Sequence, residues 1–230
     1  MSDPHVSVCT RMRLIAHRGF AATAPENTIA AISAAGKYAD AVEFDVRRCG
    51  SGELVVFHDE TIDRVTDGEG LVADLSLEQL REYTVLDTDE HIPTLEEALE
   101  AVPPGLEVNL EMKAEGIAAD VLDALEEADN RVVTTSFIES ELRAVREIDG
   151  NQPSGLLASR HLDYPVTTAV ELECDVIGAN YWRCLVTPLV HRAKSVDLEV
   201  HAWTVERPVT AKILDLRGVD CVSADRPIRL

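Results

Sequence analysis

Two histidines each stand at the exit of an apolar run with a charged residue beside them. Leu14-Ile15-Ala16 leads into His17-Arg18-Gly19, and Leu54-Val55-Val56-Phe57 leads into His58-Asp59. Between them lies Glu43-Phe44-Asp45. In an extended strand these two carboxylates point the same way, about 7 Å apart. Carboxylates held that close repel unless a proton or a cation sits between them. A third acid joins by pattern. In Glu107-Val108-Asn109-Leu110-Glu111-Met112-Lys113, polar and apolar residues alternate, which gives one strand face to Glu107, Asn109, Glu111 and Lys113. Three carboxylates from two strands offer hard oxygen ligands, which suit Mg²⁺ or Ca²⁺ better than zinc. Salt bridges to Arg18, Arg47 or Lys113 are the alternative use of the same acids. Histidine moves protons near neutral pH, so His17 and His58 beside such a cluster can serve as acid and base, in either order.

Something must bring these residues to one place. β-branched and apolar segments at 13–16, 41–46, 54–57, 106–112, 131–136, 154–158, 175–179, 198–204 and 219–223 read as strands. Segments at 28–35, 94–101, 116–128, 139–147, 166–173, 187–195 and 208–216 read as helices. Repeated strand-then-helix order predicts an α/β fold with a parallel sheet, and about eight repeats predict a (β/α)8 TIM barrel; a doubly wound open sheet is the alternative. In such a barrel the site lies at the strands' C-terminal ends, where His17, Glu43, Asp45, His58 and Glu111 fall. Residues 59–93 break the rhythm as a small insertion, with a turn at 66–70 and a short capped helix in Asp74-Leu75-Ser76-Leu77-Glu78-Gln79-Leu80. Too few residues follow the last strand for a full eighth helix, so the final helix is expected to be truncated. One barrel domain over 1–230 is the expectation. Asn27 is expected as the N-cap of the first helix, with Glu26 as a support or capping acid.

Composition narrows the partners. The chain carries 42 acidic against 21 basic residues, a net charge of −21, and only four of the basic residues are lysines. Such an excess repels itself unless salt screens it, which resembles proteins of salt-rich cytoplasm. Nucleic acid is excluded as a partner, because its affinity rests on Lys and Arg. No apolar stretch approaches a membrane helix, and residues 1–12 lack the apolar middle of a signal peptide, which predicts a cytoplasmic protein. Cys9, Cys49, Cys174, Cys184 and Cys221 are odd in number and show no paired spacing, so buried free thiols are expected.

The ordered series His17-Arg18-Gly19, Pro25-Glu26-Asn27-Thr28, Glu43-x-Asp45, His58-Asp59, Glu111-x-Lys113 and Trp203-Thr204-Val205 resembles the glycerophosphodiester phosphodiesterase family over about residues 13–227. The resemblance implies a metal-dependent phosphodiesterase that hydrolyses glycerophosphodiesters to glycerol phosphate and an alcohol. It places the metal, Mg²⁺ or Ca²⁺, on Glu43, Asp45 and Glu111, and makes His17 and His58 the catalytic pair. Attack by the neighbouring glycerol hydroxyl, through a cyclic intermediate, and direct attack by water are both open. On this reading Arg18 offers a planar fork and Lys113 a point charge to the phosphate, while Trp203 packs on the glycerol carbons. His201, which shares its face, is read as packing or support. His5, His91, His161 and His191 lack motif context and are expected in solvent.

The chain departs from the family pattern at Cys49, Ser51, Glu206 and Ala224. None of these replaces a proton carrier or ligand, so they bear on substrate choice. A lipid phosphodiesterase of the related two-histidine barrels would need an exposed apolar or basic loop, which the sequence does not show. A non-catalytic cation-binding barrel is the remaining alternative. Head group, stereochemistry and oligomeric state are not encoded in any motif.

Overall fold

The computed structural model describes residues 11–230, so Cys9 and His5 lie outside the described residues. Strands β1 (Arg13–Ala16) and β2 (Ala41–Arg48) are followed by a short β3 (Leu54–Val56). Then come β4 (Glu107–Met112), β5 (Val132–Ser136), β6 (Ser154–Ala158), β7 (Val176–Asn180), β8 (Glu199–Trp203) and β9 (Cys221–Ala224). All except β3 pair in parallel, and β1 bonds both β2 and β9, which closes an eight-stranded barrel. β3 is the exception to the sequence expectation. It pairs antiparallel with the end of β2, Val46 opposite Val56 and Arg48 opposite Leu54, and stays outside the barrel. The turn 49–53 is too short for the crossover that a parallel neighbour needs.

Helices α1 (Ile29–Ala35), α2 (Leu77–Leu80), α3 (Leu95–Ala101), α4 (Ala118–Leu125), α5 (Glu139–Ile148) and α6 (Pro165–Glu171) precede α7 (Tyr181–Val186), α8 (Leu189–Lys194) and α9 (Pro208–Leu216). The helix expected at 187–195 is α8, while α7 before it was not expected. Pro188 forces Thr187 out of helical geometry, to φ −120°, ψ 166°, and the chain restarts as α8. Residues 225–230 carry no helix. Among the described residues no helix is long and apolar enough to cross a membrane.

Strand alternation divides the side chains of the barrel wall. Val42, Phe44 and Val46 of β2, and Val108, Leu110 and Met112 of β4, face outward into the main core beneath the helices. Their alternates, Glu43 and Asp45, and Glu107, Asn109 and Glu111, face the lumen. The insertion owns a separate core of Cys49, Val55, Phe57, Ile62, Val65, Val72, Leu80, Val85 and Ile92. Its helix α2 opens on the expected capping box, Ser76 with Gln79. Cys49, Cys174, Cys184 and Cys221 are free and buried, and burial pushes the Cys174 and Cys184 thiols up to about 11 and about 12.

Candidate active site

The register of β2 against β4 sets Asp45 opposite Glu111 and Glu43 opposite Asn109, at the C-terminal ends of the strands. Ligand-type oxygens of Glu43, Asp45 and Glu111 lie within 4.8 Å of one another, and all three residues are buried. Their contacts are unequal. Asp45 Oδ2 accepts from Asn27 Nδ2 at 2.9 Å and lies 3.3 Å from Arg18 Nε, while Asp45 Oδ1 lies 3.2 Å from Lys113 Nζ. Glu43 Oε2 accepts from the Arg18 backbone N–H at 2.8 Å, and Glu111 pairs with Lys113. Glu43 Oε1 has no hydrogen-bond partner, and Asp45 Oδ1 and Glu111 Oε1 have only the one Lys113 ammonium between them. Three buried acids against two cations are short of positive charge. Burial, opposed by nearby Lys113 and Arg18 and the bond from Asn27, leaves the Asp45 carboxyl below its usual range. Burial and the Asp45 charge push Glu43 up, and lift Glu111 to about 8. Three converging carboxylates that share too few cations fit a hard divalent cation.

Both histidines are fixed by carboxylates on their Nδ1 side. His17 Nδ1 lies 2.6 Å from Asp225 Oδ1, and His58 Nδ1 lies 2.5 Å from Asp59 Oδ1. An ionised carboxylate only accepts, so each Nδ1 carries the hydrogen and each Nε2 is left for chemistry. His17 Nε2 stands 3.9 Å from Glu43 Oε2. Burial lowers the pKa of His17, but the Glu43 charge and the bond to Asp225 outweigh it, and the net shift is upward. For His58 burial, aided by Lys113 and Arg18, prevails over the pull of Asp45, and the net shift is downward.

The sequence-predicted residues converge on one cavity of about 210 Å³, lined by His17, Arg18, Glu43, His58, Asn109, Glu111, Lys113, Thr135, Phe137, Leu157, Trp203, Thr204 and Ser223. Asp45 sits beneath it, fully buried. Trp203 meets the edge of Phe137 with ring centroids 5.9 Å apart, and Lys113 Nζ lies 5.7 Å from the Phe137 ring centre. A larger groove between α3 and α4, of about 950 Å³, is lined by acids and aliphatic residues and holds no histidine, lysine or arginine. Arg47, weighed above as an ion-pair partner, instead donates to the carbonyls of His58 and Lys113. His201 bonds Glu199 at 2.9 Å, and His91, His161 and His191 are exposed.

One expectation around Pro25-Glu26-Asn27-Thr28 needs correction. Thr28, not Asn27, caps α1, its hydroxyl accepting from the Ala31 N–H. Asn27 adopts φ 58°, which turns its amide onto Asp45. Of the two roles expected for Glu26, it takes that of a support, bonding Arg18 and Arg64. Gly19 has its own reason: a Cβ there would lie 2.6 Å from the Ala31 Cβ, so His17 and Arg18 can turn over α1 only with glycine next to them. Asp225, Arg64 and Phe137 were not foreseen. Asp225 carried a signal, since it immediately follows the last strand, at the same barrel end as His17.

The family model described as "Glycerophosphoryl diester phosphodiesterase family" matches residues 17–229. The chain belongs to that family. Its members are phosphoric diester hydrolases. A glycerophosphodiester phosphodiesterase of Caldanaerobacter subterraneus is 34% identical over 93% of this chain and 94% of its own length. Among solved structures, an Oleispira antarctica phosphodiesterase in complex with the product sn-glycerol-3-phosphate superposes with TM-score 0.86 at 28% identity, covering 95% of this chain and 94% of that one. The Thermotoga maritima glycerophosphodiester phosphodiesterase gives TM-score 0.81 at 25% identity, covering 93% and 94%. The family barrel is thus the barrel described here, with its eight strands and intervening helices.

Proposed function

We propose that this phosphodiesterase hydrolyses glycerophosphodiesters to glycerol phosphate and an alcohol, with a divalent cation on Glu43, Asp45 and Glu111 and with His17 and His58 as the acid–base pair. The observation that carries the reading is the convergence of three buried carboxylates, served by only Arg18 and Lys113, beneath two carboxylate-anchored imidazoles. When bound, a hard cation would polarise a phosphate oxygen and favour the ionised form of the attacking oxygen. The protein supplies the rest. Arg18 and Lys113 stand at the cavity to neutralise phosphate charge. Imidazole Nε2 atoms on both sides take one proton from the nucleophile and return one to the leaving alkoxide. Asp225 and Asp59 keep each ring in the tautomer that permits this and stabilise its charged form. Trp203, Phe137 and Leu157 form an apolar wall for the glycerol carbons, while Asn109, Thr135 and Ser223 face its hydroxyls.

The test is release of glycerol phosphate from glycerophosphocholine and glycerophosphoethanolamine in high salt, with Mg²⁺ or Ca²⁺ and with a chelator control. Release that depends on the cation is the expected result. Cleavage in chelator at the same rate would remove the metal from the reading. Turnover of lysophosphatidylcholine alone would move the assignment to a lipid phosphodiesterase.

A further inference from the structure

The insertion reaches the site through Arg64. Ile62 and Val65 are locked into the insertion's own core, which turns Arg64 toward the barrel mouth. Its guanidinium spans two carboxylates. Nε donates to Asp59 Oδ2 at 2.5 Å, while Nη1 and Nη2 donate to Glu26 Oε2 and Oε1 at 2.9 and 2.7 Å. Both acceptors have a second partner in the site. Asp59 Oδ1 holds His58 Nδ1 at 2.5 Å, and Glu26 Oε1 accepts from Arg18 Nη1 at 2.8 Å. The series continues to Asp45, 3.3 Å from Arg18 Nε. A proton carrier, a phosphate-facing cation and a candidate metal ligand are therefore joined through one side chain that belongs to none of those classes.

A half-exposed ion pair by itself contributes little. Arg64 differs in geometry, because its planar fork engages two carboxylates at once and a point charge such as lysine cannot reproduce both. We infer that Arg64 is a positioning residue: it fixes Asp59 against His58 and Glu26 against Arg18, so that the insertion 59–93 sets the orientation of catalytic groups it does not itself contain. The low-lying carboxyls of Asp59, at about 2, and of Glu26 agree with permanently ionised partners at both ends of the fork.

The inference rests on the two-histidine reading, and its test separates the two. Arg64→Gln and Arg64→Lys are compared with Arg81→Gln, a change in the same insertion that breaks an exposed ion pair to Glu97 of α3 and touches nothing in the site. Arg64→Gln is expected to lower kcat on the order of tenfold to a hundredfold, the usual cost of removing a group that orients a ligand, with Arg64→Lys recovering part of the loss. Arg81→Gln should leave kcat unchanged, and both Gln variants should melt close to the parent. In parallel, imidazole ¹⁵N shifts report the His58 tautomer, held with hydrogen on Nδ1 in the parent and mixed in Arg64→Gln. If the parent is active and Arg64→Gln keeps its kcat, the inference is overturned while the two-histidine reading stands. If the parent is inactive, the two-histidine reading falls and the tautomer decides alone: an unchanged His58 spectrum in Arg64→Gln overturns the role given to Arg64.

Discussion

The floor and the mouth of the barrel lumen are built from the same residue types and balanced in opposite ways. At the floor, Arg13 Nη1 donates to both Glu107 oxygens at 2.8 and 2.9 Å and Arg13 Nη2 pairs with Glu199. Glu199 also accepts from His201 at 2.9 Å and from the Cys221 thiol at 3.2 Å. Arg131 covers Glu107 from outside. At the mouth, Glu43, Asp45 and Glu111 share Arg18 and Lys113, and Glu43 Oε1 and Asn109 Oδ1 have no hydrogen-bond partner. No carboxylate oxygen of the floor is orphaned among the described residues. Ile15, Ala41 and Cys221 form a small apolar cluster of their own. Glu199, His201 and Cys221 bring potential ligand atoms within the same 4.8 Å as the mouth's acids, yet Arg13 already supplies their cation. Polar groups in a barrel interior are therefore not in themselves a site. What marks a site is buried charge left unbalanced, because folding gains nothing from it.

The largest way to break this contrast is to remove the mouth's proton carriers. His17→Ala or His58→Ala should lower kcat by about 10² to 10⁴, the range of general acid–base contributions, while cation binding measured by calorimetry survives. Near-normal hydrolysis by either variant would sink the acid–base assignment. Next comes the floor. Glu199→Ala leaves Arg13 and His201 without their shared acceptor and should cost about 3 kcal/mol of stability, the scale for breaking a buried pair, with kcat intact in the folded fraction. Glu111→Gln should do the reverse, weakening cation binding while leaving the metal-free protein at least as stable, since it removes a repelled acid. Denaturant unfolding and metal titration on both variants read the contrast directly. Equal destabilisation by both would show that the two ends are balanced alike.

How much of this the sequence displays depends on the length of the interaction concerned. Strand and helix bounds follow alternation and periodicity along the chain, and most agree with the structure to within a residue or two, as at 154–158 and 208–216. Most of the site's main residues were legible because they lie on or just past barrel strands whose C-terminal sides share one rim, whereas His58 arrives from the antiparallel β3 outside the barrel. What the sequence hides is whatever depends on a turn. Asn27 looks like a helix cap by composition, and only its left-handed backbone sends the amide to Asp45. β3 has strand composition, and only the short link 49–53 before it says that it folds back instead of entering the barrel. The partners Asp225 and His17 stand 208 residues apart and meet only because β9 lies beside β1.

The smallest effect tests the charge imbalance itself. At the floor, burial would raise the Glu199 carboxyl, but the bond from His201 and the Arg13 charge hold it far below its ordinary value. Its stabilisation is present above the unfolded carboxylate pKa of about 4.3 and is lost as pH falls. At the mouth the sign reverses. Burial and the Asp45 charge lift Glu111 to about 8, so between about 4.3 and that value the metal-free native state binds a proton that the unfolded chain has released. Metal-free protein should therefore lose stability as pH rises through this window, and a cation on Glu111 must displace that proton. Calorimetric cation titrations at pH 7 in buffers of different ionisation enthalpy should show net proton release, and the release should vanish above pH 9, where Glu111 is already ionised. Buffer-independent binding heats at pH 7 would mean that the mouth's acids are as fully neutralised as the floor's, and the distinction between the two ends would lose its electrostatic basis.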